Sequence, residues 1–349
     1  MSEDVIIRIE GAAGRITLNR PQALNALTYP MVMAIGAALA AWSSDPAVAL
    51  VVLDGAGDRG LCAGGDVLSL HDSYRAGPEF ARRFWADEYR LNDAIARYPK
   101  PYVALMDGIV MGGGIGLSAH ASHRVVTERS MLAMPETGIG LIPDVGGTWL
   151  LARAPDNTGI YLGLSGARMT AADALFAGFA DVCVPVAQLP DLIAALTAVP
   201  NARPGDVIAS LAQEPPPGDL QARSKEIAHL FGGASVEAIL AALARDGDPW
   251  ANKTIAGLKT KSPTALKVTL AALRAARRLP SLAAALDMEY CIVTRLFEDG
   301  EFNEGVRALL VDKDRAPKWR RATLEAVSDA DIARLMAPLP VGEGLGLAG

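Results

Sequence analysis

Two carboxylates stand where chemistry could be done. Glu136 and Asp144 lie eight positions apart, each directly after a proline, in MPETGIGLIPDVGGTW from Met134 to Trp149. Their neighbours are mostly apolar, and a carboxylate in such surroundings can serve as base, acid or nucleophile. Upstream, Gly112, Gly113 and Gly114 run together at what reads as a helix start. A second glycine loop, Cys62-Ala63-Gly64-Gly65-Asp66, has the same character, with Asp66 as a candidate helix start. Backbone amides freed by glycines can stabilise a developing oxyanion, and losing one donor from such a hole typically costs roughly 10²–10³ in rate. Two such loops aimed at one point would form an oxyanion hole.

Each feature also has a plainer explanation. Glycines in both loops would equally suit close packing of a helix on a sheet. Either acid alone could cap a helix or sit in its first turn. Gly114-x-Gly116-x-x-Ala119 imitates the short dinucleotide-binding fingerprint, but an N-terminal hairpin does not suit a doubly wound sheet. Glu88 lies in a charged run with Glu79, Arg82, Arg83 and Asp87, and spacing alone reads it as a solvated helix face. Cys62 has no obvious activating histidine nearby and reads as a small buried filler. His120 and His123 flank a helix end, where packing or surface roles fit better than catalysis.

The elements that must position these residues follow from turn and alternation signals. Val5 to Ile9 and Arg15 to Leu18 read as a hairpin around Gly11 to Gly14. Thr28 is the expected N-cap of a helix from about Pro30 to Trp42, and Ala49 to Leu53 reads as a buried strand. A helix follows Gly77-Pro78, ending before Pro99 and Pro101. Tyr102 to Met106, Arg124 to Thr127 and Met131 to Met134 are further short strands, with a small-residue helix over Gly112 to Ala121. Two short strands and a helix recur, which suggests stacked ββα turns. Beyond Pro200 the pattern is helical: Leu220 to Leu230, Val236 to Ala244, Ala251 to Leu258, Thr264 to Arg278 and Ser281 to Phe297. The expected division is 1–205 and 206–349, with the final GEGLGLAG fraying.

The chain has 349 residues, 51% hydrophobic and 21% charged, with net charge −6 and a pI near 5.4. That balance argues against a sequence-independent grip on nucleic acid. Cys62, Cys183 and Cys291 are far apart with no metal-ligand spacing, so neither a metal site nor a disulfide framework is expected. No run approaches the ~18 apolar residues of a membrane span. The start, MSEDVIIRIE, is acidic and turns straight into a strand pattern, so a cytoplasmic enzyme is the expectation.

The motifs LNRPQALNAL, LCAGGDV, MGGGIGLSAHA and MPETGIGLIPDVGGTWLL, in this order and spacing, resemble the enoyl-CoA hydratase/isomerase, or crotonase, superfamily over roughly residues 5 to 200. The resemblance implies an α/β fold, a crotonase-like spiral of stacked ββα turns, binding an acyl-CoA thioester. It implies an oxyanion hole at the amides of Gly65 and Gly113, with CoA along Ala23, Leu24 and Ala26 and the loop from Ala63 to Asp66. The superfamily's hydratases use two glutamates. One matches Glu136, but the other should follow the glycine triplet by two positions, where this chain has Gly116. Those hydratases usually carry glycine where this chain has Asp144.

A narrower likeness is to the 3-hydroxyisobutyryl-CoA hydrolase branch. It rests on MPETxIGLxPDVGG, on DEYRLN at Asp87 to Asn92, and on FNEGVRALLVDKDRAPKW at Phe302 to Trp319. It implies substrate and catalytic positions at Glu88, Gly113, Glu136 and Asp144, and hydrolysis of a short-chain 3-hydroxyacyl-CoA in valine catabolism. No metal or redox cofactor is expected, CoA being part of the substrate. Arg307, Lys313 and Lys318 are candidate phosphate partners or simply a solvated face. Superfamily members often form trimers, although a long helical tail could cover the same surface within one chain. A hydratase or isomerase of the same superfamily, or a non-catalytic acyl-CoA binder, is the competing reading.

Overall fold

The computed structural model describes residues 3–198 and 203–348. The strands are β1 (Val5–Glu10), β2 (Ala13–Leu18), β3 (Leu50–Gly55), β4 (Tyr102–Met106), β5 (Ile109–Met111), β6 (His123–Val126), β7 (Met131–Ala133) and β8 (Val182–Cys183). β1 and β2 pair antiparallel, with Glu10 opposite Ala13. The hairpin loop is therefore two residues, Gly11-Ala12, not the four of the sequence reading. Gly11 takes φ +58 and closes the turn at once.

From β2 the main sheet grows by parallel strands in the order β1-β2-β3-β4-β6-β8. β5 and β7 form a second, parallel pair. Single parallel bridges, Leu27 to Gly65 and Cys62 to Val110, accompany that pair. Passes of the chain thus add a strand to the main sheet and a short piece to the smaller ladder. This is the physical form of the recurring ββα rhythm.

The described residues fall into two compact units, each discontinuous in sequence. The first comprises 1–66, 90–133 and 168–219, and the second 67–89, 134–167 and 220–349. Position 205 lies inside the last segment of the first unit, and residues 199–202 beside it lie outside the described residues.

In the first unit, Thr28 caps the helix Tyr29–Ser44, its hydroxyl accepting the Met31 N–H at 3.4 Å. That helix lies against β2 so closely that a Cβ on Gly14 would collide with the Trp42 ring. Val52, Val103, Leu105 and Val125 build the core with Leu192, Leu196 and Ile208 from the helices Leu189–Ala198 and Pro204–Leu211. β4 is buried at every residue, as expected of a strand covered on both faces.

The second unit is mainly helical. Ser262 and Ser281 cap the helices Pro263–Ala276 and Leu282–Glu298. Trp85 packs edge-on against Phe297 and Phe302, with ring centroids 5.6 and 6.0 Å apart. Buried Glu301 accepts the Ser262 hydroxyl at 2.7 Å. The chain end does not fray as expected, because the N–H groups of Leu347 and Ala348 each donate to the Asp287 carboxylate at 3.0 Å. Among the described residues no helix is long and apolar enough to cross a membrane. Cys62, Cys183 and Cys291 are buried and unbridged.

Candidate active site

In the first unit the two glycine loops lie side by side. The Met111 N–H donates to the Cys62 carbonyl at 2.9 Å, and the Cys62 N–H to the Ile109 carbonyl at 3.1 Å. The glycines have separate duties. Gly64 at φ +121 and Gly112 at φ +46 hold backbone conformations that side chains resist. A Cβ on Gly114 would sit 2.5 Å from the Cys62 carbonyl oxygen, so close loop packing excludes one. Gly113 begins the helix Gly113–Ser118, where the first N–H groups have no intrahelical acceptor. Neither the Gly65 nor the Gly113 N–H has a backbone acceptor among the described residues. The close-packing explanation holds at Gly114. The Cys62 thiol donates to the Gly64 carbonyl at 3.4 Å, which fits a buried filler.

The segments expected to lie along CoA also meet. The Ala63 N–H donates to Leu24 at 3.0 Å, Leu27 to Gly64 at 2.8 Å and Asp66 to Leu27 at 2.8 Å. Leu24 and Asn25 are both left-handed, at φ +52 and +55. Such a conformation is tolerable for Asn but costs a residue like Leu roughly 1–2 kcal/mol. The Asn25 side chain, fully buried, holds it in place. It accepts the Arg20 N–H at 2.8 Å and donates to the carbonyls of Ala56 at 3.0 Å and Gly60 at 3.1 Å.

The acids gather in the second unit. Pro135 leads into a 3-10 turn, Glu136–Ile139, so Glu136 starts a constrained segment. The Thr137 hydroxyl ties that turn to the Leu164 carbonyl at 3.1 Å, and the Ser262 N–H ties it from the other side at 3.2 Å. Asp144 accepts the Tyr89 hydroxyl at 2.6 Å. The turn after it is strained: Val145 has φ +52 and Gly146 φ +81, and the former is an outlier for a β-branched residue. A Cβ on Gly147 would lie 2.5 Å from the Met134 methyl, which explains the second glycine of PDVGG. From the helix Leu282–Glu298, Glu289 accepts the N–H groups of Gly146 at 2.7 Å and Thr148 at 2.9 Å, together with the Thr148 hydroxyl.

Glu88, Glu136, Asp144 and Glu289 are only 2%, 5%, 6% and 0% exposed. The reading of Glu88 as a solvated face is therefore overturned, because its helix turns that side chain inward. Burial, then the facing Asp144, holds the carboxyls of Glu88 and Glu136 well above the usual range. Burial pushes Asp144 up to about 6, with the Tyr89 hydroxyl pulling it back down. Burial drives Glu289 to about 8 against the pull of its three donors. Burial and Asp144 keep the Tyr89 phenol protonated, so it remains a donor. Half-buried Lys261 is the cation whose charge acts on Glu136, while burial weakens its own hold on a proton. One oxygen each of Glu88 and Glu136 is buried without a hydrogen-bond partner among the described residues. Acids crowded in this way are costly to folding and characteristic of sites that do chemistry.

Tyr89, Thr148, Lys261 and Glu289 were not found by sequence reasoning. Tyr89 adjoins Glu88 in DEYRLN, but nothing local marks its hydroxyl as the partner of Asp144. Arg307 is engaged by carboxylates of its own segment, Glu304 at 2.7 Å, Asp312 at 2.5 Å and Asp314 at 2.8 Å. Lys313 and Lys318 are exposed.

A profile of the family described as enoyl-CoA hydratase/isomerase matches residues 13–336. The chain is 41% identical to a mitochondrial 3-hydroxyisobutyryl-CoA hydrolase of Gallus gallus, over 96% of this chain and 89% of that one. It is 38% identical to the protein of that name from Homo sapiens, over 95% and 88%. Among solved structures, a carnitinyl-CoA dehydratase from Mycobacterium thermoresistibile superposes with TM-score 0.94 at 46% identity, covering 100% of both chains. An enoyl-CoA hydratase from Rhodobacter sphaeroides superposes with TM-score 0.93 at 48% identity, covering 98% of this chain and 99% of that one. The likeness extends through the helical C-terminal region, and the fold is crotonase-like.

Proposed function

The chain belongs to the enoyl-CoA hydratase/isomerase family, and from that premise we propose that it hydrolyses a short-chain 3-hydroxyacyl-CoA thioester. The leading substrate is 3-hydroxyisobutyryl-CoA, giving 3-hydroxyisobutyrate and CoA, a step of valine breakdown. The observation that carries this reading is the buried acid cluster. It holds Asp144 against Tyr89 in the same cluster as Glu136, while position 116, where a hydratase would place its second glutamate, is a buried glycine.

The roles follow from the chemistry of each group. The Gly65 and Gly113 amides take the thioester oxygen as it becomes an oxyanion. Glu136 either attacks the carbonyl carbon, giving a mixed anhydride that water opens, or takes a proton from an attacking water. Asp144 orients or deprotonates that water. Glu88 accepts the 3-hydroxyl and so selects hydroxyacyl groups. Collapse of the tetrahedral intermediate breaks the C–S bond and releases CoA thiolate. That leaving group needs little acid help, since thiols have pKa values of about 8.5. The sequence of steps calls on no metal or redox cofactor.

The names of the two solved relatives favour a second reading, reversible addition of water to an enoyl-CoA. One pair of assays separates the two. Free thiol is read with a thiol reagent during incubation with 3-hydroxyisobutyryl-CoA, and enoyl absorbance is followed with crotonyl-CoA. Thiol release from the hydroxyacyl ester is expected. Enoyl loss without thiol release would overturn the hydrolase in favour of a hydratase. Inactivity of the wild type in both assays would point to a non-catalytic binder.

A further inference from the structure

We propose that Glu289, on the C-terminal helix Leu282–Glu298, is a positioning residue for Asp144, fixing the turn that aims this carboxylate at its reaction partner. The inference rests on the hydrolase reading above and deepens it.

Asp144 is presented by a turn that the chain would not adopt on its own. Val145 and Gly146 are consecutively left-handed, at φ +52 and +81, and only a strong restraint keeps a β-branched residue there. The next residue starts the helix Gly147–Arg153, whose N-cap, Gly146, has no side chain to satisfy the first amides. Glu289 supplies the missing acceptor from 143 positions away. One of its oxygens takes the Gly146 N–H at 2.7 Å, and the other takes the Thr148 N–H at 2.9 Å and the Thr148 hydroxyl. The carboxylate therefore grips the chain on both sides of Gly147. With Tyr89 donating to Asp144 at 2.6 Å, the aspartate is held at its side chain and its turn at the backbone.

An ordinary cap does not require this arrangement. A neutral acceptor could satisfy one helix-end amide. Here a fourth carboxyl is fully buried beside Asp144, Glu136 and the phenol of Tyr89, where its charge works against the other acids. Two acceptor oxygens match the two N–H groups on either side of Gly147, and the Thr148 hydroxyl donates to the ionised carboxylate or accepts from the protonated one. In Glu289→Gln the amide oxygen can still serve Thr148, but the NH₂ group faces the Gly146 N–H, donor against donor.

The test compares E289Q, T148V and D144N by thiol release from 3-hydroxyisobutyryl-CoA, with thermal melts of each. In folded E289Q, kcat is expected to fall about 10–100-fold with KM within about threefold, since displacing a reacting group by ~1 Å can cost 10²-fold. T148V removes one of the three bonds and should lose less. A purely structural role would lower Tm in E289Q yet leave kcat of the folded fraction unchanged, which would overturn the proposal. If E289Q does not fold, T148V decides the question: a folded T148V with wild-type kcat overturns it. D144N separates the two layers. Absence of thiol release by the wild type would sink the hydrolase reading itself, and wild-type thiol release by D144N would sink the role of Asp144, whereas an inactive D144N beside a fully active E289Q would sink only the role of Glu289.

Discussion

Replacing Tyr89 with phenylalanine removes one hydroxyl and leaves the ring packing in place. That hydroxyl donates to Asp144 at 2.6 Å, in a site where Asp144 is 6% exposed. Hydrogen bonds to charged groups contribute about 1.5–3 kcal/mol, and 1.36 kcal/mol corresponds to one pH unit, so the loss amounts to ~1–2 units. The sign follows from which form the donor stabilises. Tyr89 favours the ionised carboxylate, so its removal raises the pKa of Asp144 from about 6 toward ~7–8. The acids titrate together, and the acid limb of the rate profile belongs to the cluster. At pH 7 the ionised fraction of Asp144 would fall from ~90% to ~10–50%, a two- to ninefold loss of rate that closes again by pH 9. The assay is initial-rate thiol release from 3-hydroxyisobutyryl-CoA between pH 5 and 9 for wild type and Y89F. An acid limb that stays in place, or a loss of rate that is the same at every pH, would refute the reasoning.

Asp144→Asn should abolish thiol release yet stabilise the fold at alkaline pH. The folded pKa of about 6 lies above the ordinary 3.8, so this group's stabilisation is full below pH 3.8 and lost as pH rises through 6. Its ionisation thus costs up to ~3 kcal/mol at pH 8, and a higher Tm for D144N at pH 8 but not at pH 4 is the expected result. Gly114→Ala places a methyl 2.5 Å from the Cys62 carbonyl, and overpacking of this kind costs about 1–3 kcal/mol, so urea titration should show a lower midpoint together with slower thiol release. Asn25→Ala removes the bonds to Arg20, Ala56 and Gly60 at φ +55. At about 1 kcal/mol per bond, plus the left-handed penalty, the loss should be ~3–5 kcal/mol by urea titration, and a variant as stable as wild type would contradict the structural role given to Asn25.

The sequence by itself determined what depends on neighbours a few residues away. Thr28, Ser262 and Ser281 cap helices because a hydroxyl there reaches an N–H three residues on. The hairpin, the buried strand β3 and the recurring ββα rhythm follow from alternation and turn residues, and the glycines at 64, 112 and 114 mark backbone that side chains cannot follow. Glu136 and Asp144 were legible as candidates because each follows a proline in an apolar run. Tertiary structure alone decided their environment. The donor to Asp144 comes from 55 positions away, and the grip on its turn from 143 and 141. The burial of Glu88 and the anchoring of the chain end on Asp287 were likewise invisible locally: spacing alone read the first as a solvated face, and the tail as frayed. A pKa is set by what surrounds a carboxyl in space, through burial and facing charges, and sequence spacing carries almost none of that information.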